Sequence, residues 1–416
     1  MVGKGSTSGY LSQAEVEAVV MEGLASLPLE RQRVLVIIPD RTRTMPLPLF
    51  FRAITKSLLP RTKVLNFLVA LGTHPPLSET DLLTMLGLTA EEKASKYSTV
   101  GLFNHSWEDP RALTTLGVIP EKEIAVLTQG RMHQDVPVRL NRMILEHDHL
   151  LICGPVFPHE VVGFSGGNKY FFPGIAGSEI INFTHWLGAL VTSFEIIGTK
   201  DTPVRRVIDR AAAFIPTPRH AICSVVCQEG VSGVYFGTPE EAYSAAADLS
   251  SATHVVRVER PYREVLSVMP TMYDDLWVGA KGMYKVEPAI ADGGEVIIYA
   301  PHITEISYTH GHLIRKVGYH VRDYFLKQWE RFADVPLSIL AHSTHLRGIG
   351  TFENGVERPR IRVTLATGIP EEICRQVNLG YRDPATISPE KWSNCEADGI
   401  LLVRRAGEDL YRVKKK

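Results

Sequence analysis

The segment from His159 to His185 concentrates the residue types that carry out chemistry. It reads HEVVGFSGGNKYFFPGIAGSEIINFTH, with a histidine at each end, two glycine-containing turns and one lysine. The turn Ser165-Gly166-Gly167-Asn168 permits positive φ and close backbone approach, which suits a bound anion or a flat cofactor. Lys169 follows directly, as a point charge for phosphate or, if partly desolvated, as an amine that bonds to an electrophilic cofactor. Each histidine alone is better explained as a surface or core residue, but the combination predicts a functional site.

A third histidine, His105, lies in the polar run NHSWED at 104–109, which is predicted to be a loop. It is a second candidate base to set against His159. Two imidazoles that face each other across a substrate carbon match a reaction that takes and returns a proton on either face. The spacing of His147 and His149 resembles a metal site, but both precede a predicted strand. They therefore occupy its amino end, which is the wrong end for a shared site.

Polar loops follow two of the predicted strands, and ligands of open α/β sheets bind where strands end in this way. The first loop, Pro39-Asp40-Arg41-Thr42-Arg43, offers a carboxylate, a hydroxyl and two guanidiniums. Arg43 in particular is able to grip a carboxylate or a phosphate through two hydrogen bonds. The second loop, in the run GTHPP, holds His74 between a threonine and two prolines, which favours a positioned role. The alternative for each group is an ordinary loop salt bridge or a turn cap.

Near-continuous apolar runs alternate with helix-like stretches, which predicts an α/β fold with strands covered on both faces. Strands are predicted at 34–38, 64–70, 150–153, 222–226, 254–258, 264–269 and 295–300, and helices at 12–25, 47–59, 239–252 and 281–287. Since 416 residues exceed what one core usually supports, we expect two α/β domains with a cofactor and substrate cleft between them. A proline interrupts the pattern near residue 260. Residues 1–260 are therefore assigned to a catalytic and cofactor-binding domain, and 261–416 to a domain that closes the active site.

Composition excludes several classes of partner. The 45 basic and 46 acidic residues balance, and only the terminal Lys414-Lys415-Lys416 is strongly basic, so nucleic acid is not expected. The N-terminal stretch lacks the apolar core of a signal peptide and no window reaches the length of a membrane span, which predicts a cytoplasmic protein without a membrane partner. Five scattered cysteines indicate neither a disulfide framework nor a thiolate metal site.

Together these pieces resemble the nickel-pincer lactate racemase family. The resemblance rests on DRTR at 40–43, GTHPP at 72–76, His105, and the run from His159 through SGGNKYFFPGIAG to His185. Members of that family carry a nicotinic-acid-derived mononucleotide of the pyridinium-3,5-bisthiocarboxylic acid type, in which nickel is held between carbon and sulfur and completed by a histidine. The resemblance implies a racemase or epimerase of small 2-hydroxy acids that uses nickel and this nickel-pincer nucleotide. It also implies cofactor-synthesis proteins as partners.

The resemblance assigns roles to individual residues. Lys169 would bind the cofactor covalently as a thioamide, His185 would be the nickel ligand, and His105 and His159 would be the paired acid and base. The residues near the cofactor and substrate would include Asp40, Thr42, Arg43, His74, Gly166 and Gly167, with Arg43 also counted among the catalytic groups.

The chemistry of inversion agrees with two opposed bases. The α-hydrogen of a 2-hydroxy acid is barely acidic, whereas its removal as hydride needs only an electron-poor acceptor and a base for the hydroxyl proton. The planar 2-keto acid that results has no chirality at C2. Return of hydride to its other face, with the opposite histidine giving back the proton, yields the epimer, while a cationic group holds the carboxylate fixed.

Lys281, in the run DDLWVGAKGM, resembles the family's second functional lysine and would contact a substrate oxygen. The family's usual tyrosine and glutamine before it are replaced by Trp277 and Val278, which argues against lactate itself. Hydrogen-bonding side chains are dense at His302, Tyr308, His310, His312, His342, Ser343, Thr344, His345 and Arg347. Unless these are solvated loop residues, they predict a longer, polyhydroxylated substrate such as an aldonic sugar acid, with lactate as the second choice.

Two alternative functions belong to other classes. A nicotinamide-dependent 2-hydroxy acid oxidoreductase also transfers hydride, but it requires G-x-G-x-x-G after the first strand and an acidic residue after the second, and neither is present. A non-enzymatic nickel or cofactor-binding protein would retain Lys169 and His185 without a histidine pair. The presence of both His105 and His159 favours the enzyme.

Overall fold

The chain folds into two α/β units, each with a sheet of its own. The computed structural model describes residues 1–227 and 230–414. The first unit takes in 1–157, 164–181 and 203–253, and the second takes in 158–163, 182–202 and the chain from His254 onward. No helix of the described residues is long and apolar enough to cross a membrane. The predicted α/β class is confirmed.

The helices and strands follow one another in three stretches. Residues 1–157 contain β1 (Val2–Gly5), α1 (Gln13–Ala25), β2 (Arg33–Ile38), α2 (Leu47–Leu58), β3 (Val64–Val69), α3 (Glu79–Leu86), α4 (Ala90–Ala94), β4 (Val100–Asn104), β5 (Leu113–Ile119), α5 (Glu121–Leu127), β6 (Val136–Asn141) and β7 (His149–Pro155). Residues 158–253 contain β8 (Pro158–His159), β9 (Gly163–Phe164), α6 (Ser178–Val191), α7 (Ser193–Ile196), α8 (Pro203–Ala212), β10 (Arg219–Cys227), β11 (Gly230–Gly237) and α9 (Pro239–Thr253). The remainder contains β12 (Val255–Val258), β13 (Tyr262–Val268), α10 (Leu276–Gly279), α11 (Lys281–Tyr284), β14 (Ile290–Ala300), α12 (Gly311–Val317), α13 (Arg322–Leu326), α14 (Leu337–Arg347), β15 (Gly350–Glu353), β16 (Val356–Pro359), β17 (Arg362–Thr367), α15 (Glu371–Gln376), β18 (Gly380–Tyr381), β19 (Ile400–Val403) and β20 (Leu410–Val413).

The sheet of the first unit has the order β1-β11-β10-β7-β2-β3-β4. The strands from β10 to β4 run parallel, and β11 and β1 add an antiparallel edge. The chain places β3 and β4 on one side of β2 and then returns to place β7 on the other side. The carboxyl ends of β2 and β7 therefore form a switch point, the place where ligands bind on open α/β sheets. The loops that contain Asp40, His74 and His105 all leave the sheet at this edge.

Apolar residues pack against both faces of this sheet. β2 and β7 are buried along almost their whole length, as expected of parallel strands with helices on both sides. α2 buries Phe50, Phe51 and Ile54, which are at most 1% exposed. Burial of each such side chain stabilises the fold by roughly 1.5–3 kcal/mol. α1 begins at a capping box in which Ser12 and Glu15 each accept a hydrogen bond from the other's backbone amide.

The sheet of the second unit is parallel throughout, with the order β18-β17-β14-β13-β19. β14, β17 and β18 extend in one direction from β13, and β19 lies on its other side, so the carboxyl ends of β13 and β19 form a second switch point. The segments that leave it are 269–275, which leads to α10 and α11, and 404–409. β12 precedes the boundary predicted near residue 260, yet it pairs with the C-terminal strand β20 and belongs to the second unit.

Candidate active site

Asp40 and His74 meet at the carboxyl edge of the first sheet. Oδ2 of Asp40 lies 2.5 Å from Nδ1 of His74, and Oδ1 accepts hydrogen bonds from the amide and the hydroxyl of Thr42 at 2.9 and 2.6 Å. Asp40 is buried, while the side chain of His74 is 26% exposed. Because the carboxylate engages Nδ1, Nε2 is the ring nitrogen of His74 that remains for a ligand.

Asp40 is held in its ionised form. Burial on its own would raise the pKa of this carboxyl, but the charge and hydrogen bond of His74, the charge of Arg43 and the Thr42 hydroxyl hold the pKa well below its usual range. Tyr170, the residue after Lys169, lies in the field of both Arg43 and Asp40. The loop 40–43 and the glycine turn therefore belong to one cluster of polar groups in the first unit.

Gly166 and Gly167 shape the turn before Lys169. Their φ angles are +88° and +57°, values that residues other than glycine rarely adopt. A Cβ on Gly166 would come within 2.4 Å of Val156, and one on Gly167 within 2.8 Å of Tyr243. Both positions therefore require glycine. They lead into the short 3₁₀ turn Gly167–Tyr170, which holds Lys169 half-buried.

Arg205 supports this turn and is absent from the residues predicted from the sequence. Its guanidinium donates to the carbonyl oxygens of Phe164 at 2.6 Å and Gly166 at 3.2 Å, and it stacks 3.9 Å from the centre of the Tyr243 ring. The sequence did contain a signal, because Arg205 has the helical spacing of Ile208 and Ala212 and so shares their apolar face. An arginine in such a position is rare unless it is paired with specific acceptors.

Asn168 completes the turn. Its side-chain amide donates to Asp209 at 3.0 Å and to Glu240 at 2.7 Å. Its Oδ1 atom is buried and has no hydrogen-bond partner among residues 1–227 and 230–414. A buried acceptor without a donor is unfavourable, so an atom of this kind beside Lys169 suits a ligand that brings a donor.

His105 follows β4 and lies beside the segment 171–177. Its Nε2 is 3.0 Å from the carbonyl oxygen of Ala176, and its Nδ1 accepts a hydrogen bond from the side-chain amide of Asn141 at 3.2 Å. Burial lowers the pKa of His105 to about 4, against an opposing effect of the Ala176 carbonyl, so the ring is neutral near pH 7. Both ring nitrogens are engaged by protein groups, and a substrate must replace one of them to reach this imidazole.

His159 and its neighbour Glu160 lie in the second unit. The Nδ1 atom of the buried His159 accepts a hydrogen bond from the Val161 amide at 3.2 Å and lies 3.3 Å from Oε2 of Glu160. An amide that donates to Nδ1 assigns the proton of the neutral ring to Nε2.

His185 lies on α6, in the field of two buried histidines of α14, His342 and His345. Burial lowers the pKa of His342 well below its usual value and that of His345 to about 4. Neighbouring histidines add to both shifts, and Glu160 opposes the shift of His345. In the part of the chain that the structure describes, no three His, Cys, Asp or Glu side chains are grouped so as to hold a metal ion. As a metal ligand, His185 would therefore not be part of a group of three such side chains within the described residues.

Lys281 lies on α11, downstream of the second switch point. It is 8% exposed, and its Nζ is 4.4 Å from the centre of the Tyr273 ring, a cation–π distance. Gly407 passes close to this pair with a φ of +102°. A Cβ on Gly407 would come within 3.1 Å of Cβ of Lys281 and 2.8 Å of the Tyr273 ring. The second unit thus contains a cation largely removed from water.

The predicted site residues are distributed over both units. The first contains Asp40, Thr42, Arg43, His74, His105, Gly166, Gly167 and Lys169, and the second contains His159, His185 and Lys281. The first set gathers around the carboxyl edge of its sheet. In the second unit, the pKa of His345 is affected both by His185 and by Glu160, which is the neighbour of His159. The roles that the family resemblance assigns to these residues remain predictions.

Comparison with known proteins identifies relatives of this sequence. The sequence model of the lactate racemase N-terminal domain matches residues 12–194. A lactate racemase of Thermoanaerobacterium thermosaccharolyticum is 24% identical over 290 residues, and one of Lactiplantibacillus plantarum is 23% identical over 293 residues. Each alignment covers 67% of this chain, and the chain spans 62% of the length of each of these relatives.

Solved structures are similar over the whole chain. A crystal structure of a Thermotoga maritima protein is 31% identical, with a TM-score of 0.90 over 99% of this chain and 100% of that one. The lactate racemase apoprotein of T. thermosaccharolyticum, at 18% identity, has the same fold with a TM-score of 0.72 over 99% of this chain and 94% of that one. The fold and the sequence motifs define an α/β protein similar to lactate racemases. Residues 12–194 match the lactate racemase N-terminal domain and the whole chain is similar in fold to a lactate racemase apoprotein, so the resemblance noted in the sequence is confirmed.

The buried histidines predict loss of stability in mild acid. The pKa values of His105, His149 and His345 are each lowered to about 4 from 6.5 by burial. A group whose pKa is depressed in the folded state stabilises the fold above its unfolded pKa, and this contribution is lost as the pH falls from 6.5 towards 4. Each such histidine reduces the free energy of unfolding by up to about 1.4 kcal/mol per pH unit in that range.

Urea denaturation between pH 7.5 and 4.5 measures this effect. Burial raises the pKa of Asp409 to about 6. Asp409 therefore stabilises the fold as the pH falls and offsets the loss of stability from one histidine. We expect a net fall in stability with decreasing pH and a shallower fall in His149→Gln. His312→Gln, at an exposed position of α12, serves as the matched control and should follow the unmodified protein. A midpoint that does not change over this pH range would contradict the prediction.

Proposed function

We propose that this protein inverts C2 of a 2-hydroxy acid, as a racemase or epimerase, with a nickel-pincer nucleotide as its cofactor. The observation that supports this most directly is the gathering of the loop 40–43, His74, His105 and Lys169 around one sheet edge. These are the groups that the family motifs contribute, and two curated relatives are lactate racemases. The proposal also implies cofactor-synthesis proteins as partners, since the chain alone contains no group able to accept hydride.

The residues present fit such a cofactor. Lys169 offers a half-buried primary amine directly after the glycine turn, and the buried Oδ1 of Asn168 beside it has no hydrogen-bond partner in the described part of the chain. His185 offers an imidazole next to two neutral histidines. The ionised Asp40, with His74, offers polar contacts for a nucleotide. When bound, the cofactor supplies the electron-poor acceptor for the α-hydrogen.

The protein itself handles the hydroxyl proton. We propose that His105 and His159 serve opposite faces of the substrate. His105 is neutral near pH 7 and is ready to accept a proton at Nδ1 once the substrate hydroxyl displaces the Asn141 amide. His159, which lies beside Glu160, would return the proton on the other face. Two imidazoles that exchange the roles of base and acid match a reaction that runs in both directions.

Cationic groups orient the substrate in this proposal. Arg43, which lies in the field of Asp40, and the desolvated Lys281 are suited to the carboxylate and the hydroxyl oxygen of a 2-hydroxy acid. The preferred substrate is a polyhydroxylated acid such as an aldonate, because Trp277 and Val278 precede Lys281 and the buried His342 stacks on Trp277. Lactate is the second choice.

Incubation with single stereoisomers tests the proposal. The protein is produced in a host that makes the cofactor and is incubated with lactate, malate, phenyllactate or gluconate, and the configuration at C2 is followed by chiral chromatography. We expect inversion of at least one acid, fastest with gluconate. Preparations from a host without the cofactor pathway are the control and should be inactive. Fastest turnover of lactate would refute the aldonate preference alone, whereas no inversion of any acid by protein with full cofactor content would refute the racemase.

A further inference from the structure

The polar residues between 302 and 347 differ in their surroundings. His302, Tyr308 and His312 are exposed. Others have structural partners: Ser343 bonds to the Gly318 carbonyl, Thr344 to the Ala341 carbonyl, and Arg347 to the Asn378 carbonyl. Of the remaining residues, two histidines, His342 and His345, are buried on one face of α14.

His342 and His345 each contain a buried nitrogen without a hydrogen bond. They are 7% and 3% exposed, and the Nε2 atoms of both lack a hydrogen-bond partner among the described residues. The ring of the buried Tyr319 meets His342 edge-on, with 5.8 Å between the ring centres, and its hydroxyl also lacks a hydrogen-bond partner among the described residues. Native interiors rarely leave three neighbouring polar atoms unsatisfied, since each one is unfavourable to folding. Such a cluster is explained when a ligand supplies the partners.

Trp277 covers this cluster. Its indole stacks on the His342 ring at 3.8 Å with an angle of 21° between the planes, and the His310 ring is 4.7 Å away. Trp277 itself is only partly buried. The face of an indole is a suitable surface for the C–H groups of a sugar chain, whose hydroxyls then need donors and acceptors at the edge. The residues thus combine an aromatic surface with unsatisfied polar atoms.

A small cavity borders the same helix. It has a volume of about 50 Å³, and its lining includes Thr192, Arg322, Thr344 and His345. This volume holds a hydroxyl group or a few water molecules and is too small for a whole sugar acid. It therefore suits the terminal hydroxyl of a longer chain. His345 is the residue that belongs to both the cavity and the unsatisfied cluster.

We propose that His342 and His345 bind the distal hydroxyl groups of an aldonate, with Trp277 as the surface on which its carbon chain lies. This inference rests on the proposed function, because it assigns the specificity of that site. Both imidazoles lie in the field of His185, so they are close to the group that would hold the reacting centre. A site built to hydrogen-bond hydroxyls discriminates strongly against a ligand that lacks them, which makes these histidines the specificity-determining residues.

The first experiment compares catalytic specificity. The ratio of kcat/KM for gluconate to kcat/KM for lactate is measured in cofactor-loaded protein, in His342→Leu and His345→Leu, and in His312→Leu as the exposed control. We expect each buried substitution to lower the ratio by about tenfold to a hundredfold, mainly through gluconate, and the control to leave it unchanged. His345→Gln, which keeps a hydrogen-bonding side chain, should retain most of the ratio. Equal losses for both substrates would show a structural role and overturn the proposal.

The second experiment does not depend on catalysis. Gluconate is titrated into cofactor-free protein, and binding is followed by calorimetry and by tryptophan fluorescence. We expect gluconate to bind and to change the fluorescence of the unmodified protein, lactate to do neither, and Trp277→Phe to bind without the fluorescence change. His342→Leu and His345→Leu should bind gluconate at least tenfold more weakly. Absence of gluconate binding to the unmodified, folded protein would overturn the assignment even if racemase activity on another acid is found.

Discussion

Replacement of Lys169 by alanine is expected to abolish any covalent adduct on this chain. By the family resemblance, the Lys169 amine would condense with a thiocarboxylic acid group of the cofactor to a thioamide, with loss of water. The half-buried lysine follows two glycines that no other residue can replace without a clash. Intact-mass spectrometry of protein from a cofactor-producing host should show the added mass in the unmodified chain and none in Lys169→Ala. Racemisation should be lost with it.

Three controls make this result specific. Lys169→Arg keeps the charge but not the nucleophile, so it should also lack the adduct. Lys122→Ala, at an exposed lysine, should carry the full adduct. His185→Ala should keep the organic mass but lose nickel more readily than the unmodified protein, as measured by elemental analysis. An adduct that persists in Lys169→Ala would place the attachment elsewhere, and normal nickel content in His185→Ala would show that another residue is the ligand.

Replacement of His159 by alanine is expected to reduce racemisation by about a hundredfold or more while the cofactor content stays unchanged. The reason is that inversion requires a proton at the hydroxyl on each face, and loss of one imidazole stops the exchange on that face. His105→Ala should produce a loss of the same order. Rates are measured in both directions, with cofactor content determined on the same samples by mass spectrometry.

The matched control for both variants is His133→Ala, at an exposed histidine of the first unit. It should keep full activity. His105→Ala also removes hydrogen bonds to Asn141 and Ala176, so its folding is checked by urea denaturation before its activity is interpreted. Retained activity in a folded His159→Ala protein would refute the two-base hypothesis, whatever the outcome for His105.

The sequence predicted the elements of both sheets well because they depend on short-range patterns. The apolar runs at 34–38, 64–70 and 150–153 correspond to β2, β3 and β7, and those at 264–269 and 295–300 fall on β13 and β14. Buried parallel strands need continuous apolar residues, and that requirement is visible in one dimension. The family motifs were also visible, since DRTR, GTHPP and SGGNK are contiguous in the chain.

Long-range contacts were not predictable in the same way. That β12 pairs with β20, about 150 residues later, follows from no local pattern. The support of the glycine turn by Arg205 and the engagement of both nitrogens of His105 depend on hydrogen bonds between distant segments. The nine polar residues between 302 and 347 looked alike in the sequence, and only burial separated the unsatisfied His342 and His345 from the exposed His302 and His312.

The sequence by itself determined the α/β class, the strands and the chemically reactive residues, because residue type and short-range periodicity carry that information. The tertiary structure decided which of those residues share a unit, which are desolvated and which retain unsatisfied atoms. Burial and hydrogen bonding set the protonation state and the availability of a side chain, and both are properties of the packed chain. The neutral His105, the ionised Asp40 and the buried Nε2 atoms of α14 are therefore consequences of packing that no motif contains.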